Sequence, residues 1–168
     1  MELQFHWSRL ESLTGLEVHE ILQARVAVFV VEQKCPYQEV DDMDPLAWHL
    51  TARLGGQLAA YIRVVDPGVK YPQPSIGRVM TLANFRHRQL GRALMAEAIR
   101  FTELKFPGLG IQIGAQVYLQ QFYASFGFEA VGEVYEEDGI PHLDMVRELG
   151  AGVDCAARLP VTRTHPAA

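Results

Sequence analysis

The stretch Ile76-Gly77-Arg78-Val79-Met80-Thr81-Leu82-Ala83-Asn84-Phe85-Arg86-His87-Arg88-Gln89-Leu90-Gly91-Arg92-Ala93-Leu94-Met95 decides the fold. Residues 75–82 predict a strand. The apolar stripe Leu90, Ala93, Leu94, Ala98, Phe101 and Leu104 predicts a helix from near Gln89 to near Lys105, stopped by Phe106-Pro107-Gly108. At the junction three arginines fall within seven residues, in a chain of net charge −5. A helix N-terminus leaves its first N–H groups unpaired and carries partial positive charge. With Gly91 removing a side chain there, the junction reads as a cradle for a phosphate or diphosphate. The plainer alternative is a solvated, arginine-rich helix start. No Gly-Lys-Ser/Thr follows and no G-x-G-x-x-G occurs, which sets ATP and NAD aside.

Working outward, the pattern is mixed α and β. Residues 3–7 predict a first strand. Thr14 and Glu17 form a capping box for a helix running to about Glu32, with a stripe of Val18, Ile21, Leu22, Val28 and Phe29. Residues 34–45 are an acidic loop. Residues 48–54 and 57–65 form a hairpin about Gly55-Gly56. After the second helix come a strand at 110–115, a short helix at 116–126 ended by Gly127, and strands at 128–135 and 142–148. The order β-α-β-β-β-α-β-α-β-β predicts an α/β (α+β) fold, a mixed, mostly antiparallel central sheet with helices on both faces. Residues 1–149 make one domain. Residues 150–168, rich in small residues and proline, are a C-terminal tail, disordered or laid on the surface.

Composition removes several classes. With 168 residues the chain is long enough to bury a sizeable core. No apolar run reaches membrane-spanning length, and the start has no basic and apolar leader pattern. Two cysteines, Cys35 and Cys155, are too few for a disulfide framework and lack partners at metal-ligand spacing, so no metal is expected and a reducing, cytoplasmic setting fits. The acidic balance argues against nucleic acid and anionic membrane as partners.

A second segment, Gly114-Ala115-Gln116-Val117-Tyr118-Leu119-Gln120-Gln121-Phe122-Tyr123-Ala124-Ser125-Phe126-Gly127-Phe128, sets a tyrosine four residues before Gly-Phe. Read alone, Tyr123 is a core ring with its hydroxyl at the surface. Taken with the arginine-rich turn, it resembles the GNAT superfamily of N-acetyltransferases, whose turn reads Gln/Arg-x-x-Gly-x-Gly/Ala. Two frames compete, Arg86-x-x-Gln89-x-Gly91 and Arg88-x-x-Gly91-x-Ala93. The first is preferred because it keeps Leu90 and Leu94 in the buried register. The segments Arg25-x-x-Val28-Phe29-x-x-Glu32-Gln33-x-Cys35-Pro36-Tyr37, Ile76-Gly77-Arg78-Val79, Ala115-Gln116, Phe122-Tyr123-x-x-Phe126-Gly127-Phe128 and residues 135–142 are similar to the ElaA-like subgroup.

The resemblance implies the GNAT acyl-CoA N-acyltransferase fold and transfer of an acetyl group from acetyl-CoA to a small-molecule or peptidyl amine, by a monomer or homodimer. It implies that Val79, Met80 and Thr81 offer backbone groups to the pantetheine arm, and that Arg86, His87, Arg88, Gln89, Leu90, Gly91 and Arg92 hold the diphosphate. Gln116 would lie near the thioester, and Tyr123 would protonate the leaving thiolate. Several relatives place a glutamate base on the strand before the tyrosine helix. Here that strand, Gly110-Ile111-Gln112-Ile113-Gly114, has no carboxylate. Candidates for the base are Glu39, Asp41, Asp42, Asp44, His49 and His142, and the acidic loop as a whole would favour a cationic amine. Arg25, Glu39, Asp41, Asp42, His49 and His142 are the expected acceptor-side residues. Arg25-x-x-x-Phe29, the acidic loop and Arg63 also resemble acyl-homoserine-lactone synthases. A CoA-binding module or sensor without turnover is the reading outside enzymes.

Arg25 lies within an apolar stripe, where a charge is costly unless paired, so a carboxylate partner is predicted among Glu32, Glu39 and Asp42. Arg25→Ala is expected to loosen the acidic loop and cost about 3 kcal/mol if the pair is buried, read as a fall in melting temperature. A melt within a degree of wild type would show that the pair is absent.

Overall fold

A computed structural model of the chain describes residues 2–150 and 161–164. Strands β1 (Leu3–Arg9), β2 (Ala47–Leu54), β3 (Gln57–Val65) and β4 (Ser75–Thr81) form an antiparallel meander. A fifth strand numbered β8 (Val161–Thr164) pairs parallel with β1, giving the order β4-β3-β2-β1-β8. Strands β5 (Ile111–Gln116), β6 (Glu129–Glu137) and β7 (Ile140–Arg147) form a second antiparallel sheet in the order β5-β7-β6. One sheet was expected and two are found. The Gln112 N–H donates to the Pro74 carbonyl where β4 and β5 begin, but the two strands do not join as a ladder. The gap between them holds the site.

Of the expected tail, residues 161–164 form β8, and Thr164 Oγ1 donates to the Phe5 carbonyl. The rest of it, Cys155 included, lies outside the described residues.

Strand β3 is apolar nearly throughout because both of its faces are covered. On one face the helix α2 (Leu90–Lys105) buries Leu90, Ala93, Leu94, Met95, Ala98, Ile99 and Phe101, and Phe101 stacks on Trp7 at 3.7 Å between centroids. Leu104, expected in that stripe, is exposed. On the other face the helix α1 (Gly15–Arg25) sets Ile21 and Ala24 against Leu58, Tyr61 and Met80. Its capping box is formed as expected: Thr14 Oγ1 accepts from the Glu17 N–H, and the Glu17 carboxylate accepts from the Thr14 N–H. The expected continuation to Glu32 is a π-helical segment, Val26–Glu32. Its wider turn brings Val28, Phe29, Glu32 and Gln33 to the cavity wall. No helix among the described residues is long and apolar enough to cross a membrane.

Candidate active site

The two arms of the site are built by local backbone irregularities. Along β3 and β4, Tyr61 pairs with Met80 and Arg63 with Gly77, so β4 carries one extra residue. That bulge sits at Arg78, whose φ is +54°, and it leaves backbone groups beside Val79 out of the ladder. After β4 the chain turns through a short 3-10 turn, Ala83–Phe85, into α2. His87 and Gln89 adopt φ of +62° and +58° on either side of Arg88. Alternation of this kind turns successive N–H groups to one side, as in an anion-binding nest. Gln89 is the α2 N-cap, and no side chain caps the helix. A Cβ on Gly91 would meet only Thr81 Oγ1, at 3.9 Å. The mouth of α2 is therefore bare, with open amides, and its residues fit a diphosphate. In the preferred frame the left-handed Gln89 stands where the turn pattern Gln/Arg-x-x-Gly-x-Gly/Ala has its first glycine, which is a physical reason to keep that frame.

Tyr123 is fixed by the way its helix ends. α3 (Gln120–Ala124) follows a 3-10 turn, Val117–Leu119. Gly127 at φ +83° sends its N–H to the Ala124 carbonyl, while the Phe128 N–H reaches the Tyr123 carbonyl. These are the two bonds of a Schellman motif. The spacing Tyr-x-x-x-Gly-Phe thus places Tyr123 three residues before the cap, with the Phe128 ring edge-on to it at 6.2 Å. The Tyr123 side chain is buried, lines the cavity, and donates its hydroxyl to no described residue. Burial, with the Tyr118 hydroxyl adding to it, pushes its pKa above the ordinary phenol value.

The cavity has a volume of about 780 Å³ and lies between the π-helical segment, the acidic loop, β4, β5 and the β6–β7 turn. Its wall takes in Val79, Met80, Thr81, Arg86, Gln116, Tyr123, Asp41 and His142. His87 to Arg92 stand beyond that wall, at the mouth of α2. Arg86 does not point into open space: its guanidinium forms a double ion pair with Glu32, and its Nε–H donates to the Thr81 carbonyl. Arg92 donates to Ser125 Oγ and lies over the Phe126 ring.

The acceptor-side expectations need correction at four residues. Arg25 and Glu39 are buried below the wall and bonded to each other, with Nε–Oε1 at 2.9 Å. The second partner of Arg25 is Asp44, at 2.8 Å, and not Glu32 or Asp42. Asp42 is exposed and off the cavity. His49 is buried with both nitrogens used. The Asp44 carbonyl can only accept, so Nε2–H donates to it at 2.9 Å, and Nδ1 accepts from the Tyr61 hydroxyl at 2.6 Å.

The acidic loop is not a free field of negative charge. Arg63 binds Asp41 and Asp44, and Arg78 binds Glu39 and Asp41. Burial alone would raise the Asp44 pKa, but bonds from Arg25 and Arg63 outweigh it and hold the carboxyl below its ordinary range. Asp41 is lowered against burial in the same way, by Arg63 and Arg78. Sequence reasoning missed Arg78. A charged residue after a glycine within a strand was the available sign of a bulge.

His142 does reach the wall. Its Nδ1 lies 2.7 Å from the Ile140 carbonyl, so Nδ1–H donates and the neutral ring keeps its lone pair on Nε2. Glu137 lies 3.8 Å from that Nε2, and the Tyr135 ring stacks on the imidazole. Across the ladder His142 is paired with Gln116, so strands β5 and β7 set these two side by side.

A family model described as Acetyltransferase (GNAT) domain matches residues 15–149. An acyl-CoA N-acyltransferase structure from Pseudomonas aeruginosa is 43% identical, with TM-score 0.83 over 88% of this chain and 100% of its own. The Escherichia coli ElaA structure is 37% identical, with TM-score 0.81 over 87% of this chain and 99% of its own. The CoA-dependent acyl-homoserine lactone synthase BjaI, at 15% identity and TM-score 0.75 over 99% of this chain and 95% of its own, shares the fold alone.

Burial lowers the His49 pKa below its ordinary value, whereas the unfolded chain titrates near about 6.5. The folded state resists protonation there, so His49 contributes stability that is complete above that unfolded value and declines as pH falls below it. Thermal melts from pH 7.5 to pH 5 are expected to show this decline. His49→Gln, which keeps one donor and one acceptor, should flatten it. An unchanged slope would mean that His49 is not held neutral.

Proposed function

The chain belongs to the GNAT acetyltransferase family, in its ElaA-like subgroup, and from that premise we propose that it moves an acetyl group from acetyl-CoA to a primary amine. In this reading Tyr123 is the proton donor and His142 the base. The observation that carries the reading is a buried phenol without a hydrogen-bond partner among the described residues and an imidazole whose Nε2 lone pair accepts no hydrogen bond among them, on the walls of one cavity beside the bare mouth of α2.

Acetyl-CoA supplies an acetyl group activated as a thioester. The amides at His87 to Gly91 suit its diphosphate, and the unpaired backbone beside the β4 bulge suits its pantetheine arm. An alkylammonium of pKa about 10.4 must lose a proton before it attacks. Among the candidate bases, Glu39, Asp41 and Asp44 are bound by arginines, His49 has no free nitrogen, and Asp42 is off the cavity. That leaves His142, which would take the proton on Nε2 and be steadied as imidazolium by Glu137. Tyr123, its pKa raised by burial, keeps its proton at neutral pH and can donate to the departing sulfur.

Coenzyme A at a hundred times its Kd should stabilise the protein by about 2.7 kcal/mol. Tyr123→Phe should retain that stabilisation and lower kcat about 100-fold or more. His142→Gln should lower kcat while retaining the stabilisation by coenzyme A. If Tyr123→Phe turns over as wild type does, the proton-donor role is wrong. If coenzyme A stabilises the protein but no amine releases thiol, the chain is a CoA-binding module without turnover.

A further inference from the structure

The geometry points to an amine acceptor that carries an anionic group several bonds from its nitrogen, with Lys70 reading that group; this deepens the acetyltransferase reading and rests on it. The charge pattern of the cavity supplies the argument. Arg63, Arg78 and Arg86 on its wall are each bound by carboxylates. Lys70 is on the same wall and has no carboxylate within ion-pair distance among the described residues. Asp144, paired with Gly114 across β5 and β7, accepts from the hydroxyls of Tyr71 and Tyr135 and from the Gln112 amide.

The location of Lys70 is defined by Gly114. A Cβ on Gly114 would lie 2.9 Å from the Tyr135 hydroxyl, 3.4 Å from the Tyr71 hydroxyl and 3.6 Å from Lys70 Nζ, so glycine there lets these three groups gather over β5. Gly77, also on the wall, faces open space. Gly114 and Gln116 are two residues apart on β5, roughly 7 Å by strand rise. Gln116 is paired with His142, so the ammonium of Lys70 and the proposed base stand about one dipeptide apart. At the His142 end the charges on the wall are negative, on Glu137 and Asp138; at the Lys70 end the ammonium lies over the Tyr71 ring, 5.2 Å from its centroid, and keeps its donors free of any carboxylate among the described residues. A molecule with an amine at one end and a carboxylate at the other matches both. The acidic loop, which would have drawn a polyamine, is neutralised by its arginines.

The test compares three amines on one skeleton: γ-aminobutyrate, n-butylamine and putrescine. A second set uses ε-aminocaproate, n-hexylamine and hexamethylenediamine. Thiol release from acetyl-CoA is followed with each. The amino acids should exceed the matching alkylamines in kcat/KM by about tenfold, the scale of one charge-assisted hydrogen bond, and should exceed the diamines by more. Lys70→Met should collapse that ratio, mainly through KM, and Lys70→Glu should invert it in favour of the diamines. The stabilisation by coenzyme A serves as the folding control for both variants. Turnover without preference for the acids, or a ratio unmoved by Lys70→Met, overturns this inference and leaves the acetyltransferase reading standing. No turnover of any amine overturns both.

Discussion

The structure depends on a buried set of charges. Arg25, Arg63 and Arg78 are bound to Glu39, Asp41 and Asp44, each cation touching two of the acids. Arg25, Arg63, Glu39 and Asp44 are almost fully buried. Ions moved out of water lose solvation worth several kcal/mol each, and mutual attraction recovers it only when geometry is good and every lone pair is met. Removing one partner is therefore expensive, although an apolar core of the same volume could be equally stable. What the network supplies is position. Arg25 comes from α1, Arg63 from β3 and Arg78 from the β4 bulge, so the loop that carries the acids is tied to three elements at once. That loop is one wall of the cavity.

The other constraint is the parting of β4 from β5. A continuous ladder would close the cavity and leave no room for a long, flexible cofactor arm. Instead the strands touch at their starts and the bulge withdraws β4 backbone from pairing at Arg78. Non-glycine residues at positive φ are costly, and three of them, Arg78, His87 and Gln89, fall within twelve residues of the same segment. Each has a visible consequence. Arg78 turns its guanidinium to the acidic loop, and the other two aim amides toward the mouth of α2. The double ion pair from Arg86 to Glu32 then ties this turn to the π-helical segment.

Much of this was legible in the sequence and some was not, for reasons that follow from range. The α1 capping box, the Gly55-Gly56 hairpin and the Gly127 helix end are local signals, decided within a few residues. The buried partner of Arg25 could be foreseen because a charge in an apolar stripe needs one. Its identity could not, since Asp44 is nineteen residues away and meets it only through the fold. The split sheet depends on register between strands, which no local pattern encodes. His49 and His142 look alike in sequence, each beside apolar strand residues. Only the partners found in space, two for His49 and a single carbonyl for His142, separate a buried brace from a cavity-facing imidazole.

The same distinction separates the many ionisable groups that shape the cavity from the two proposed to handle protons. A carboxylate between two guanidiniums has its pKa driven down, which makes it a poor acceptor of a proton near neutral pH. A histidine with both nitrogens bonded cannot take one without breaking a bond. Groups that shape the wall are thereby withdrawn from acid–base chemistry by the bonds that place them. Tyr123 and His142 differ because their fixing contacts use other parts of the side chain: the ring faces and backbone for Tyr123, the Nδ1–H and ring face for His142. Each is held while its reactive atom stays uncommitted, the condition for a side chain that must gain or lose a proton during turnover.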